Sequence, residues 1–242
     1  MDIKPVRLLS IIIPCYNEEN TLDLIVEEVI AVDIGGTKKE ILIIDDCSKD
    51  KSKQIISSLE RKYKEVKGLF QPKNMGKGAA LKRGFTESKG DVVIVQDADR
   101  EYDPRDYMKL LQIFKEDRAD IVFGSRFSGG SPRRVVYLAN TMANKFMTRL
   151  SALLSGLYVS DIHTCYIMFN GSWIREKSPT LKSNRFGFNP EIVAKLAKEK
   201  NSLRICETSI SYYGRTKSEG KKIGSRDGVK AIWEIIYFNL IK

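Results

Sequence analysis

Histidine is almost missing from this chain: His163 stands alone among 242 residues. Ser-His-Asp and Cys-His schemes need an imidazole base, so hydrolysis of that kind is disfavoured, and the lone histidine reads as structural. The four cysteines, Cys15, Cys47, Cys165 and Cys206, lie far apart with no C-x-x-C spacing and no histidine-rich neighbourhood. They read as reduced, mostly buried thiols. No apolar run reaches the roughly 18 residues that suggest a membrane span. Met1-Asp2-Ile3-Lys4-Pro5 has neither the charged nor the apolar region of a signal peptide, so a cytoplasmic protein is expected. Two phosphate-binding signatures are missing as well. There is no G-x-x-x-x-G-K-[ST] loop, and no G-x-G-x-x-G follows the first apolar run, which disfavours a P-loop or a dinucleotide fold.

What is present can bury a substantial core: 42% of the residues are hydrophobic. Without a linker, repeat or low-complexity stretch, the chain is expected to be one domain over residues 1–242. The net charge of +10 is unevenly placed. Residues 1–120 hold 21 Lys and Arg against 23 Asp and Glu, a net of −2, and residues 121–242 hold 20 against 8, a net of +12. The second half therefore faces an anion, with nucleic acid, anionic lipid and phosphorylated substrates as candidates.

Residues 8–13 and 41–44 are β-branched apolar runs ended by Pro14 and by Asp45-Asp46, as buried parallel strands require. Between them, Leu22, Ile25, Val26, Val29 and Ile30 have helical spacing. The alternation continues with a helix over 50–63, a strand over 66–70, a helix over 77–87, a strand over 92–96, a helix opened by Asp103-Pro104 and a strand over 121–123. Later come a Gly/Ser/Arg-rich loop at 125–134, a long helix over 137–157, a strand over 165–169, a helix over 190–200, a strand over 204–209, a basic loop at 214–226 and a terminal helix. Such alternation predicts an α/β fold with a mostly parallel central sheet, helices on both faces and ligands at the carboxyl ends of the strands.

Three loops at that edge carry chemistry. Asp97-Ala98-Asp99, with Glu101 close behind, crowds like charges that a divalent cation bound by oxygens would relieve. Pro14-Cys15-Tyr16-Asn17-Glu18 and Asp45-Asp46-Cys47-Ser48 add an aromatic face and carboxylate acceptors, suiting a nucleobase and a ribose. Gly76-Lys77-Gly78 opens a helix, where backbone N–H groups and Lys77 could meet phosphate.

Together these residues resemble a family. The ordered set Ser10-Ile-Ile-Ile-Pro14-Cys-Tyr16-Asn17-Glu18, Asp45-Asp46-Cys-Ser48, Gly76-Lys77-Gly78, Asp97-Ala-Asp99, Gly124-Ser125-Arg126, Asp161-Ile-His-Thr164 and Tyr213-Gly-Arg215 is similar to inverting GT-A (Rossmann-like) glycosyltransferases of family 2, in the polyprenyl-phosphate, dolichyl-phosphate mannose synthase-like branch. The resemblance implies a nucleotide-sugar-binding half, 1–120, and an acceptor-side half, 121–242. It places Pro14, Tyr16, Glu18, Asp45, Asp46 and Lys77 at the donor and Mg²⁺ or Mn²⁺ on Asp97 and Asp99, with Glu101 as a further ligand where the branch usually has Gln. Arg126 and Arg215 are implied at the acceptor phosphate and donor diphosphate, with Asp97 and Asp99 completing the catalytic set. Lys145 stands near a family arginine that is missing here, and Lys221 adds to the acceptor side. The expected reaction moves a hexose from GDP-mannose or a UDP-sugar to polyprenyl phosphate.

That chemistry suits a chain poor in histidine. A departing diphosphate is stabilised by a cation without proton transfer, and a phosphate acceptor is already anionic. Bidentate guanidinium then does the positioning. A glycan acceptor would instead need a carboxylate base, for which Asp161 is the residue to test. A nucleic-acid-binding module predicts exposed aromatics interleaved with the cations and is disfavoured because Trp173 and Trp233 lie in apolar settings. A sugar nucleotidyltransferase would carry its Gly-rich loop after the first strand. The segment 215–226 holds five cations and one acid ahead of the apolar residues 229–241. An anionic membrane surface on the cytoplasmic side, the core or a homodimer could cover that helix.

Overall fold

The computed structural model describes residues 5–134, 138–216 and 225–241. It opens with β1 (Leu8–Cys15), in which Leu9, Ile11, Ile12 and Ile13 are fully buried, as a strand covered on both faces demands. Then α1 (Leu22–Ala31), β2 (Lys38–Asp45), α2 (Ser52–Lys62), β3 (Val66–Phe70), α3 (Lys77–Glu87) and β4 (Val92–Val95) alternate. A 3-10 turn at Pro104–Asp106 leads into α4 (Tyr107–Lys115), β5 (Ile121–Ser125) and α5 (Leu138–Ser155). The chain continues with β6 (Ile167–Asn170), α6 (Gly171–Lys177), α7 (Phe188–Lys198), β7 (Ile205–Ser209) and α8 (Ser225–Ile236), which runs on as a π turn over Tyr237–Ile241.

The seven strands form one sheet in the order β3-β2-β1-β4-β6-β5-β7. The expected α/β class with a mostly parallel sheet is what the chain forms. One strand departs from that pattern: β6 runs antiparallel to both β4 and β5. The long excursion through α5 brings the chain back at the opposite end of the sheet, so β5 meets β4 only through β6. A second unforeseen element is α6, started by Asn170, whose side chain accepts the N–H groups of Ser172 at 3.0 Å and Trp173 at 3.3 Å.

The order places the site. From β1 the chain first moves to β2 and β3, then returns on the other side of β1 as β4. Strand order reverses between β1 and β4, and a doubly wound sheet opens a crevice for ligands there. The loops that leave that crevice are residues 16–21 and 96–103. The first is a turn rather than the start of a helix: Asn17 has φ 53°, and Glu18 O accepts from Thr21 N at 3.1 Å and Leu22 N at 3.0 Å.

A third loop, residues 71–76 between β3 and α3, reaches the crevice by a tight approach of two backbones. Gly76 has φ +95°, and a Cβ there would lie 2.4 Å from Asn184 O. Gly76→Ala should therefore cost stability by about 1–3 kcal/mol through backbone strain and the clash. A urea midpoint lowered without a change in slope is the expected result.

Candidate active site

Hydrogen bonds between loops build the crevice. Asn17 N donates to Ser48 Oγ at 3.0 Å, Glu18 N to Ser52 Oγ at 2.9 Å and Lys49 N to Asn17 Oδ1 at 2.8 Å, which ties the loop after β1 to the loop after β2. Asp46 holds the third loop. Its Oδ1 accepts from Gln71 Nε2 and Met75 N, its Oδ2 from Gly76 N, each at 2.7 Å. The Asp46 carboxylate thereby fixes loop geometry. Asp45, also buried, accepts from Ser48 N. Pro14, Tyr16 and Glu18 are half-buried beside them.

On the other side of the switch point, Gln96 pins the acidic loop. Its Oε1 accepts from the hydroxyls of Tyr107 at 2.6 Å and Tyr166 at 2.5 Å, and its Nε2 donates to Asp97 O at 3.0 Å. Lys77 Nζ lies 2.5 Å from Asp97 Oδ1. Arg215 reaches back from the second half: Nη2 lies 2.8 Å from Asp99 Oδ2, Nε 3.4 Å from Glu101 Oε1 and Nη1 3.7 Å from Glu18 Oε2. Burial and the charges of Asp97 and Glu101 push the Asp99 carboxyl up to about 7, while Arg215 pulls it down. Burial opposes the charge of Lys77, yet Asp97, by its charge and a hydrogen bond, together with Cys165 and Asp99 holds the ammonium well above its ordinary value.

Asp97 and Asp99 suit a hard divalent ion: two crowded carboxylates, one of them strained towards protonation, present oxygen donors. Among the described residues no three acidic, histidine or cysteine side chains stand together in ligating geometry. Glu101, expected as a further ligand, spends its oxygens on Tyr212 OH at 2.6 Å and Arg215 N at 2.9 Å.

Tyr212 has a second role. The Arg126 guanidinium lies 5.0 Å over its ring, so one tyrosine separates the acidic cluster from a basic pocket. That pocket, a cavity of about 30 Å³, is lined by Arg126, Phe127, Arg133, Arg134, Asn140, Asn144 and Tyr212. Arg126 is aimed by Asp161, with Nε 2.7 Å from Oδ2 and Nη2 2.8 Å from Oδ1. Burial disfavours the Arg126 charge, but Asp161, by its charge and a hydrogen bond, together with Tyr102 and Tyr212 holds the guanidinium protonated. Asp161 is fully buried, with both oxygens on Arg126, and offers no oxygen to an acceptor hydroxyl. Arg133 and Arg134 went unselected in the sequence, where the Gly/Ser setting of the loop was the signal available. Lys145 sits on the exposed side of α5, and Asn144 faces the pocket in its place. Lys221 and most of the basic loop lie outside the described residues.

His163 is incidental to this machinery. Its Nε2 is buried with no hydrogen-bond partner, and burial lowers its pKa to about 4. All four cysteines are free thiols, Cys15 and Cys165 buried and Cys47 and Cys206 half-buried. The terminal helix is divided. Ala231, Ile235 and Phe238 are buried, while Val229, Trp233, Leu240 and Ile241 are exposed. Trp233, read from sequence as lying in an apolar setting, is 58% exposed because only one face of α8 meets α5 and α7. On α5 the exposed Leu138, Met142, Phe146 and Leu153 recur at helical spacing.

A sheet with an acidic loop at its switch point defines a class, and solved structures agree on it. Glucosyl-3-phosphoglycerate synthase from Mycobacterium tuberculosis, in complex with Mn²⁺ and UDP-glucose, superposes with a TM-score of 0.73 at 15% identity, over 96% of this chain and 79% of that one. Mannosyl-3-phosphoglycerate synthase from Rubrobacter xylanophilus gives 0.72 at 16% identity, over 96% and 72%. The fold is GT-A. Residues 10–176 match the model of glycosyl transferase family 2, and the chain belongs to that family. It is 26% identical over 252 residues to a UDP-N-acetylglucosamine–dolichyl-phosphate N-acetylglucosaminyltransferase of Methanococcus voltae, covering 98% of both. It is also 26% identical over 234 residues to a dolichyl-phosphate beta-glucosyltransferase of Trichomonas vaginalis, over 91% of the chain and 69% of that protein. A dolichol-phosphate mannosyltransferase of Pyrococcus furiosus is 36% identical over 122 residues, half of this chain and 34% of that protein.

Two outcomes follow from the buried groups. Asp161→Ala, which strands the buried Arg126 charge, should destabilise the protein by about 3–5 kcal/mol, and pairing it with Arg126→Met should recover part of that loss in urea titrations. The folded-state pKa of His163 lies below its ordinary 6.5, so unfolding takes up a proton between the two values. Its contribution to stability is intact above pH 6.5 and is lost as the pH falls towards about 4; His163→Phe should flatten that acid limb.

Proposed function

We propose that this glycosyltransferase moves a hexose, with inversion, from GDP-mannose or a UDP-sugar to a polyprenyl or dolichyl phosphate, using Mg²⁺ or Mn²⁺. The observation that carries the reading is the place of Tyr212, its hydroxyl on Glu101 of the acidic cluster and its ring under Arg126 of the basic pocket. A departing diphosphate and an incoming phosphate then have separate, adjoining seats. The names of the relatives supply the substrate classes.

In this reading Pro14, Tyr16, Glu18 and Asp45 face the nucleoside, and Asp46 shapes the loop that presents Lys77. Asp97 and Asp99 would hold the divalent ion, which when bound neutralises charge on the leaving diphosphate. Glu101 steadies Arg215 beside them. The acceptor phosphate is anionic near neutral pH and has no proton to give up, so the task left is to aim it. Arg126, fixed by Asp161, does this with Arg133 and Arg134; Lys145 and Lys221 add long-range attraction for the headgroup. A glycan acceptor finds less support, since Asp161 is committed to Arg126.

No helix among the described residues is long and apolar enough to cross a membrane. The exposed apolar residues of α5 and α8, with Lys145, Arg149 and Lys230 exposed among them, suit a peripheral position on the cytoplasmic face of an anionic bilayer. A second copy of the chain is the competing cover.

Transfer assays with a short-chain polyprenyl phosphate and each of GDP-mannose, UDP-glucose and UDP-N-acetylglucosamine, with and without Mn²⁺, should yield a lipid-linked sugar from one donor. Asp99→Asn should lower kcat by about 100-fold or more, and Arg134→Ala should raise the acceptor KM with little change at the donor. Transfer to a soluble glycan in preference to the lipid phosphate would sink the acceptor assignment. Flotation with anionic vesicles should recover the parent chain, and Trp233→Ser should reduce recovery; equal recovery on neutral vesicles would favour the dimer.

A further inference from the structure

The acidic cluster already carries cations, and both belong to the chain. Lys77 lies 2.5 Å from Asp97, and Arg215 lies 2.8 Å from Asp99, on the same two carboxylates that suit a divalent ion. Their backbones are fixed from elsewhere. Lys77 follows Gly76, whose N–H is held by Asp46, and the first turn of α3 is locked by Ala79 N to Asn184 O at 3.1 Å. Arg215 N donates to Glu101 Oε1 at 2.9 Å. Both side chains are long, so their heads can move a few ångströms while the main chain stays put.

We propose that Lys77 and Arg215 are place-holding cations of the empty donor site, and that a divalent ion enters Asp97 and Asp99 only together with a nucleotide diphosphate. The inference rests on the metal role proposed above. The argument is one of charge balance. A bare dication would have to push an ammonium and a guanidinium off half-buried carboxylates, leaving Lys77 without Asp97 and Arg215 with only its longer contacts to Glu101 and Glu18, a costly arrangement where water is scarce. A diphosphate changes the balance. Its negative charges, about two in a nucleotide sugar and about three in free UDP or GDP, match or exceed the ion's two positive ones, and its oxygens accept the displaced Lys77 and Arg215. The same two cations thus neutralise the acids before binding and grip the leaving group after it, and the site does not fill with metal that has no substrate.

The test is Mn²⁺ binding to the full chain, read from the electron paramagnetic resonance of free ion, with metal alone and with UDP or GDP present, corrected for Mn²⁺–nucleotide complexes in solution. Lys77→Met and Arg215→Met should each bind Mn²⁺ alone about tenfold more tightly than the parent, the scale of one released ion pair in a partly buried site. Asp97→Asn should abolish the bound signal in every background. Thermal melts check folding, and Lys77→Gln and Arg215→Gln stand in for a variant that does not fold. Equal affinity for Mn²⁺ alone in the parent and both cation variants would overturn the place-holding role and leave the metal role intact. Failure of the parent and of the variants to bind Mn²⁺, with or without nucleotide, would remove the metal from the proposed function and this inference with it.

Discussion

Everything in the crevice answers to the crowding of carboxylates at the end of two neighbouring strands. Asp97, Asp99 and Glu101 descend from β4, and Glu18 comes from the turn after β1. Packed this closely they cannot all stay ionised without positive charge among them. The chain supplies it from two directions: Lys77 at the start of α3, and Arg215 from beyond β7, far along the sequence. That second reach ties the last part of the chain to the first, beside the β4–β6 ladder of the sheet. It also explains why Tyr212 lies where it does, three residues from Arg215 and hydrogen-bonded to the same glutamate.

The uneven charge of the two halves takes a local form. The mildly acidic first half sets Glu18, Asp97, Asp99 and Glu101 together at the crevice, and the strongly basic second half lays Arg126, Arg133 and Arg134 around one small cavity. A single aromatic ring stands between the two fields, which is as close as opposite requirements can be brought without cancelling. Asp161 keeps that division stable. By holding Arg126 from the buried side it orients the guanidinium and leaves the exposed side of the pocket basic.

Much of this was legible in the residues. The β-branched runs that became β1, β2 and β4 carry their burial openly, and the Asp-x-Asp loop announced a site at the carboxyl edge before any strand was placed. What could not be read was set by contacts distant in sequence. The antiparallel entry of β6 has no local signature, since alternation of strands and helices says nothing of direction. Asp46 looked like a ligand-facing acid, and only the approach of Gln71, Met75 and Gly76 shows that it holds a loop. Lys145 and Asn144 are neighbours on a helix, and which of them turns towards Arg126 depends on how α5 rolls against α7 and α8. Asp161 shows the limit most plainly: an isolated acid reads as a base until its guanidinium partner is seen.

The position of β6 bears on how such a protein could be recombined. β5 and β7 join the sheet solely by way of β6, a strand that follows them in one case and precedes them in the other. A graft that exchanges everything after residue 120 would therefore carry its own seam, because the antiparallel ladder between Val92–Val95 and Ile167–Asn170 has to be rebuilt across the join. This architecture is thus poorly suited to wholesale module swapping, and lends itself to replacement of the segment between β5 and β6, which carries Arg126, Arg133 and Arg134 and whose two ends are already anchored side by side.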